Sequence, residues 1–158
     1  MKQKKITVIL LFLTLASFIP GCKKDTPSTD GLNYKSALFV AQDSTGQYFT
    51  IDYNNFKRGD TINLVLYHVG KFQKGSDGQH HYDMNIEIRG PEGQMIFSQE
   101  NLYGEKGIGL LPDGILELPC GTYLTTPDFR PGAYDMKLTI YDKVSGETAS
   151  GNRQFILE

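Results

Sequence analysis

The chain has 158 residues, of which 39% are hydrophobic, 22% charged and 11% aromatic, and its formal net charge at pH 7 is −2. This is the composition of an ordinary globular protein, and the length indicates one domain, because domains cluster near roughly 100–150 residues. The slightly acidic balance argues against a nucleic-acid-binding protein, which usually carries a basic surface. Two cysteines are too few to hold a small disulfide-rich domain together.

The N-terminus has the pattern of a secretory signal. Lys2, Lys4 and Lys5 precede an apolar run of 14 residues, Ile6–Ile19. The run is shorter than the roughly 20 residues of a membrane-spanning helix, and it has the length of the apolar region of a signal peptide. A buried core helix is the weaker alternative, because the run is not amphipathic. We therefore predict that residues 1–21 are a signal peptide.

The signal ends in a motif of four residues, Ile19–Cys22. This order of an aliphatic, a variable and a small residue before a cysteine resembles the lipobox of bacterial lipoproteins, although Pro20 departs from the small residue usual at its position. The resemblance implies cleavage before Cys22 and acylation of its sulfur and its amine. Several acyl chains anchor a protein stably, so the membrane is an expected partner through this lipid anchor.

The residue after the lipidated cysteine bears on the location. Lys23 stands there instead of Asp, and by the sorting rule of such lipoproteins this implies the outer membrane. The periplasmic face and the cell surface both stay open. Residues 22–32 are polar and lack apolar periodicity, which predicts a lipidated tether, and residues 33–158 are then the folded domain.

The second cysteine is a lone thiol if the first is lipidated. Cys120 lies in the apolar context Leu118-Pro119-Cys120-Gly121. This context favours a buried, small side chain. Pairing between two chains in an oxidising envelope is the alternative.

The folded domain shows strand patterns and turns, without sustained helical periodicity. Apolar and polar residues alternate over Tyr82–Ile88 and Tyr134–Tyr141, which predicts half-buried strands. Thr61–Val69 is apolar on both faces, as in a central strand. Further strands are predicted over Gln94–Phe97, Arg153–Leu157, Ser36–Ala41, Tyr48–Tyr53, Ile115–Leu118 and Thr122–Thr125. We predict an all-β fold, an antiparallel β-sandwich of seven to eight strands.

Two short stretches carry a resemblance for this fold. Phe129–Tyr134, with its Pro-Gly corner, resembles the start of a late strand in bacterial immunoglobulin-like domains, and Asp142–Gly146 resembles the hairpin that follows it. The resemblance implies an immunoglobulin-like fold and nothing about function. The core tryptophan of true immunoglobulins is missing, because the chain has no Trp.

Two long loops are the candidate binding surfaces. Gly70–His81 is polar and rich in charged residues, and Gln99–Pro112 is a second loop of similar length. Loops longer than about 12 residues in a compact domain are often functional. The candidate binding residues are Lys71, Phe72, Lys74, His80, His81, Tyr82 and Tyr103. The alternative is that Phe72 and Tyr82 plug the end of the sandwich, and the sequence does not separate these two interpretations.

No motif in the sequence indicates catalysis or a cofactor. The nucleophile elbow Gly-x-Ser-x-Gly is absent. His80 and His81 are adjacent, and adjacent strand residues point to opposite faces, so they do not together form a metal site on a strand. We therefore predict a non-enzymatic envelope protein that acts as a protein–protein interaction module. Binding of a glycan or another ligand is the first alternative, and a small metal-dependent enzyme that uses His68, His80 and His81 is the second.

Overall fold

The computed structural model describes residues 28–116, 120–124 and 129–158. Two short 3-10 turns are present, at Gly104–Lys106 and Pro112–Gly114. The strands of these residues are, in chain order, β1 (Ser28–Asp30), β2 (Ser36–Gln42), β3 (Tyr48–Ile51), β4 (Asn55–Phe56), β5 (Thr61–Tyr67), β6 (His80–Arg89), β7 (Met95–Gln99), β8 (Ile108–Gly109), β9 (Cys120–Leu124), β10 (Gly132–Asp142) and β11 (Thr148–Leu157).

The strands form two sheets. The larger has the order β1-β11-β10-β6-β7, with β4 added against β11 and β8 against β6, and the smaller has the order β3-β2-β5-β9. Nine strands have described side chains, six in the larger sheet and three in the smaller. The described pairs are antiparallel except β4 with β11, which is parallel. The prediction of an all-β, sandwich-like fold is confirmed.

The predicted number of seven to eight strands is too low. The additional strands β1, β4 and β8 have only two or three residues each. Alternation of apolar and polar residues needs at least four residues to be visible in a sequence, so these strands leave no pattern. The same shortness explains why the parallel pair of β4 with β11 was not expected.

The core lies between the sheets and follows the alternation seen in the sequence. In β10 every second side chain from Tyr134 is buried, and β6 alternates in the same way over Met84–Arg89. β5 is buried on both faces over Ile62–Leu66. The two inner faces meet through large, almost fully buried side chains, namely Phe39, Ile62, Leu64, Leu66, Met84, Ile86, Ile88, Met136, Leu138, Ile140 and Phe155. Burying such a face is the main favourable term in folding.

Several sequence predictions fall outside the described residues. They are the signal peptide 1–21, lipidation of Cys22, the environment of the Cys120 side chain and part of the weaker strand predictions Ile115–Leu118 and Thr122–Thr125. Within the range 22–32, which was predicted to be a tether, Ser28–Asp30 pairs with β11 and the Leu32 side chain is fully buried. The described sheet therefore begins ahead of residue 33. No helix among the described residues is long and apolar enough to cross a membrane.

Candidate functional site

Three segments meet at one end of the sandwich, which we call the loop end. In chain order they are residues 70–79, 100–114 and 143–147. The N–H of Lys143 donates to the carbonyl of His81 at 2.8 Å, and the N–H of Tyr82 donates to the carbonyl of Gly107, also at 2.8 Å. Two of the segments are therefore bonded directly to the start of β6. The last two residues of the predicted loop Gly70–His81 belong to β6.

A row of three side chains crosses the outer face of the larger sheet at this end. β8 pairs with β6 so that Ile108 lies opposite His81. On the other side of β6, Asp142 of β10 lies opposite Tyr82. The next residue in the chain, Lys143, therefore lies opposite His81. Opposite residues of antiparallel strands point to the same face. Ile108, His81 and Lys143 therefore lie side by side.

Exposed aliphatic side chains accompany this row. Ile108 is 44% exposed, Leu110 is 73% exposed and Val144 in the β10–β11 turn is 40% exposed. Exposed apolar side chains scattered singly are normal, whereas contiguous ones mark interaction sites. Ile108 lies opposite His81, and Val144 lines a cleft together with His81, so both lie near this residue. We call Ile108, Leu110 and Val144 the aliphatic patch.

A shallow cleft lies next to the patch. It has a volume of about 320 Å³ and is lined by Gly75, Ser76, Asp77, His81, Lys143 and Val144. The Nε2 atom of His81 is 2.9 Å from Oδ2 of Asp77, whose side chain is 44% exposed. The N–H of Gln79 has the largest effect on the pKa of Asp77 and, together with His81, holds this pKa below its ordinary value although desolvation opposes them. This pair orients the His81 ring at the mouth of the cleft.

A buried aspartate organises the segment between β7 and β8. Both strands pair with β6, but the register changes between them, so the intervening residues leave the sheet and return. The Oδ1 atom of Asp83 accepts the N–H groups of Tyr103 at 2.9 Å and Gly104 at 3.4 Å, as well as its own neighbour Met84 at 2.9 Å. The N–H groups of Tyr103 and Gly104, which are not paired within the sheet, therefore have a hydrogen-bond acceptor, as buried N–H groups require.

The charge of Asp83 is balanced by Lys143. Its Oδ2 atom is 2.6 Å from Nζ of Lys143, and the carboxylate has no solvent exposure. Burial alone raises the pKa of Asp83, but Lys143 and the N–H groups of Tyr103 and Met84 together outweigh it and hold the pKa below its ordinary value.

Burial and the nearby negative charge of Asp83 raise the pKa of Tyr141, whose hydroxyl donates to Oδ1 of Asn85 at 2.6 Å.

A second buried aspartate joins the first loop to the β10–β11 turn. Oδ2 of Asp142 accepts the N–H of Gln73 at 2.7 Å and the hydroxyl of Ser145 at 2.9 Å. Its Oδ1 accepts the N–H of Val144 at 2.8 Å. One side chain without solvent exposure therefore positions two segments of the loop end.

His80 has a structural role in the same region. It is 2% exposed, and its Nδ1 atom accepts the N–H of Leu111 at 3.0 Å. The same ring nitrogen lies 3.3 Å from the carbonyl oxygen of Gly109, so the ring contacts the backbone on both sides of Leu110. His80 thus fixes the backbone next to Leu110 and is not available to an external ligand.

The three aromatic candidates form a column that packs inward. The ring of Phe72 is 5.7 Å from that of Tyr82, and Tyr82 is 5.4 Å from Tyr103. Phe72 is only 4% exposed, and both tyrosines pack against the core. For Phe72 and Tyr82 the structure therefore favours the alternative in which they plug the end of the sandwich. Lys71 and Lys74 are exposed beside them.

The three histidines are not gathered into a ligand set. His68 is exposed and adopts a left-handed backbone with φ of 53°, whereas His80 is buried. Among the residues that the structure describes, no three His, Cys, Asp or Glu side chains are arranged to hold a metal ion.

Sequence reasoning missed the residues that shape the loop end. The sequence gives no sign that Asp83 and Asp142 are buried, because their burial depends on segments from elsewhere in the chain. The patch residues Ile108 and Leu110 lie in the second predicted loop, but nothing in the sequence indicates that this loop and the turn that contains Val144 both reach His81. The run Gly107-Ile108-Gly109-Leu110 was the available signal, since apolar residues between glycines in a loop are unusual.

Comparisons with known proteins bear on the fold. No family model matches the chain, and no curated protein sequence matches it. Among solved structures, the C-terminal domain of Wzt is similar with a TM-score of 0.53 and 9% identity, over 87% of this chain and 80% of that chain. The soluble domain of PmoD from a Methylocystis species aligns with a TM-score of 0.39 and 10% identity, over 77% and 89% of the two chains. At such low identity the likeness to the Wzt domain shows the fold alone: this chain has a β-rich, sandwich-like fold.

Proposed function

We propose that this chain is a lipid-anchored envelope protein without enzymatic activity, whose β-sandwich binds a protein partner through the loop end. The observation that carries the proposal is the aliphatic patch on a preorganised surface. Ile108, Leu110 and Val144 are exposed, while the segments that bear them are held by buried Asp83 and Asp142. A surface that is already ordered loses less conformational entropy on binding.

The same surface supports a protein partner better than a glycan. Sugar-binding sites stack sugar rings on exposed aromatic faces, but at the loop end Phe72 is buried and Tyr82 and Tyr103 contact each other edge to face. The exposed side chains are aliphatic, with the charged side chains of Lys71 and Lys74 nearby. An apolar centre with a polar rim is the usual composition of a protein interface. Glycan binding remains the alternative hypothesis.

The lipid anchor and the outer-membrane location are part of the proposal. They rest on the signal pattern and on the lipobox-like motif that ends at Cys22. β1 runs antiparallel to β11 from Ser28, opposite Ser150, to Asp30, opposite Thr148, and so runs toward the loop end.

The immunoglobulin-like assignment also belongs to the proposal. It is supported by the long hairpin of β10 and β11, which includes the stretch that resembles such domains. The topology contains additional short strands and one parallel pair. A fold of this kind hosts many functions, so the functional argument depends on the loop end and not on the fold name.

The test is a cross-linked purification of tagged protein from detergent-solubilised membranes. We expect one protein to be recovered in near-equal amount with the wild type and to be lost with Leu110→Glu, which introduces a charge into the centre of the patch. Leu110 is 73% exposed, so this change leaves the core intact. Cys22→Ala reports separately whether the anchor is needed for the encounter.

Met95→Glu is the matched control, because Met95 is 44% exposed on β7, outside the loop end. The proposal requires that this variant retains the partner. Equal recovery with Leu110→Glu and Met95→Glu would assign binding to another surface. Absence of any stoichiometric partner with the wild type would favour the glycan alternative, which a thermal-shift screen of the chain against glycans would then examine.

A further inference from the structure

The strand at the edge of the smaller sheet has features of a pairing surface. β3 pairs with β2 alone among the described strands and is the last strand of its sheet. Tyr48 and Phe49 are each 51% exposed, and Tyr53 just after the strand is 54% exposed. Tyr48 and Phe49 point to opposite faces, so the edge presents an aromatic side chain on each face.

The hydrogen-bond phase shows which backbone groups face outward. The N–H of Asp43 donates to the carbonyl of Gln47, which makes these two a hydrogen-bonded pair of the β2–β3 ladder. Such pairs alternate with pairs whose N–H and C=O groups point away from the partner strand. Ala41 with Phe49 is therefore bonded, and Tyr48 and Thr50 direct their N–H and C=O groups to the free edge.

Within Gln47–Ile51 the edge lacks the residue types that protect many natural edge strands. Exposed edges are usually blunted by lysine, proline or a bulge, because unpaired backbone groups invite another strand. Gln47–Ile51 contains no charged residue and no proline, and its pairing with β2 is regular. A second strand of the same sequence would meet no like charge along this run.

We propose that β3 is a self-association edge, which pairs antiparallel with β3 of a second copy of this chain. In the symmetric register Phe49 lies opposite Phe49 of the second copy, and Tyr48 lies opposite Thr50. Tyr48 and Thr50 are the residues whose backbone groups face outward, so both such pairs form hydrogen bonds. The Phe49 pair is then a non-hydrogen-bonded pair, in which side chains approach most closely.

The second copy is the occupant because the edge is complementary to itself. The pairing residues are neutral, the outward groups match under a two-fold axis, and an aromatic pair forms at the centre. Pairing joins two smaller sheets into one continuous sheet and removes the exposed edge in both copies. C2 dimers with such an isologous interface are the commonest oligomers. This surface does not include the aliphatic patch, so the inference does not depend on the proposed partner.

Cysteine cross-linking in isolated membranes tests the register. The parent is Cys120→Ser, which also reports any linkage through Cys22. Opposite residues in a non-hydrogen-bonded pair have Cα atoms about 4.5 Å apart, a distance that a disulfide spans, so Phe49→Cys should give about tenfold more disulfide-linked dimer than a variant outside the interface. Met95→Cys is that control, because Met95 is similarly exposed on the edge strand β7.

Hydrodynamic measurement supplies an independent readout. The mature chain in non-ionic detergent should sediment as a dimer of the protein component, and Phe49→Lys should sediment as a folded monomer with an unchanged circular dichroism spectrum. A monomeric wild type at all concentrations would overturn the inference, as would equal cross-linking at Phe49→Cys and Met95→Cys. Loss of the membrane partner with Leu110→Glu leaves these measurements unaffected, so the two proposals fail separately.

Discussion

The Nζ atom of Lys143 lies 2.6 Å from Oδ2 of Asp83, a carboxylate that has no solvent exposure. Lys143 belongs to the β10–β11 turn, and Asp83 holds the segment that leaves the sheet after β7. The ion pair therefore ties two parts of the loop end that are far apart in the sequence. A buried carboxylate without its cation is costly, so this pair is a sensitive point of the fold.

Replacement of Asp83 should destabilise the domain. Asp83→Ala removes the partner of Lys143 and the acceptor of three backbone N–H groups, those of Met84, Tyr103 and Gly104. We expect the free energy of unfolding to fall by about 3 kcal/mol, measured by chemical denaturation. Asp52→Ala, at an exposed position after β3, should change it by less than about 0.5 kcal/mol. Similar losses for the two variants would contradict this role.

The pH dependence of stability should carry the signature of Asp83. Its pKa is lowered in the folded protein, so its ionised form stabilises the fold above the ordinary carboxyl pKa of about 4. That contribution is lost as the pH falls through the lowered, folded-state pKa. The difference in unfolding free energy between wild type and Asp83→Asn should be constant above about pH 5 and shrink below about pH 4. Denaturation curves over this range measure it, and a difference that does not shrink as the pH falls would refute the assignment.

His80 should matter for stability and not for metal binding. His80→Ala leaves the N–H of Leu111 without its acceptor and opens space around a buried ring. We expect a loss of about 2 kcal/mol in the free energy of unfolding. The control is His68→Asn, because His68 is exposed and asparagine tolerates its left-handed backbone. Melting temperatures of all variants should be insensitive to EDTA; a shift on chelation would revive the metal hypothesis.

The two ends of the aromatic column should respond differently to truncation. Phe72 is almost fully buried, so Phe72→Ala should lower the free energy of unfolding by about 3 kcal/mol. Tyr103 is half-buried and loses mainly its edge contact with Tyr82, for which we expect about 1 kcal/mol. Urea denaturation of both variants makes the comparison. Equal stability of Phe72→Ala and wild type would contradict the structural role and favour a binding role for Phe72.

Asp142 should control the order of the loop end. Asp142→Ala removes the acceptor of the N–H groups of Gln73 and Val144. Amide hydrogen exchange at both residues should accelerate by about tenfold or more, because the lost bonds closed these segments. Partner recovery should fall although the aliphatic patch is unchanged. Asp135→Ala is the control, because Asp135 lies on β10 seven residues before Asp142 and away from the loop end. This variant should leave amide exchange at Gln73 unaltered.

The sequence predicted the long elements well, for a physical reason. β6 and β10 mainly bury one face, so their residue patterns follow the two-residue period of a strand, whereas β5 buries both faces and is a continuous apolar run. The periodicity therefore determined the strands, their inner faces and the all-β class. The short strands β1, β4 and β8 form because longer neighbours offer them a free edge. That cause lies in the neighbour and not in their own residues.

The loop end was only partly predictable. The sequence located its two long segments by their length and polarity, and it placed Tyr82 at the start of a strand. Only the tertiary structure decided that Phe72 faces the core, that Asp83 and Asp142 are buried acceptors, and that Ile108 lies beside His81 and Lys143. These relationships include contacts between residues 20 to 69 positions apart. The local sequence pattern shows which face of a strand is apolar. Packing between distant segments decides which polar groups are buried and which apolar groups stay exposed to solvent.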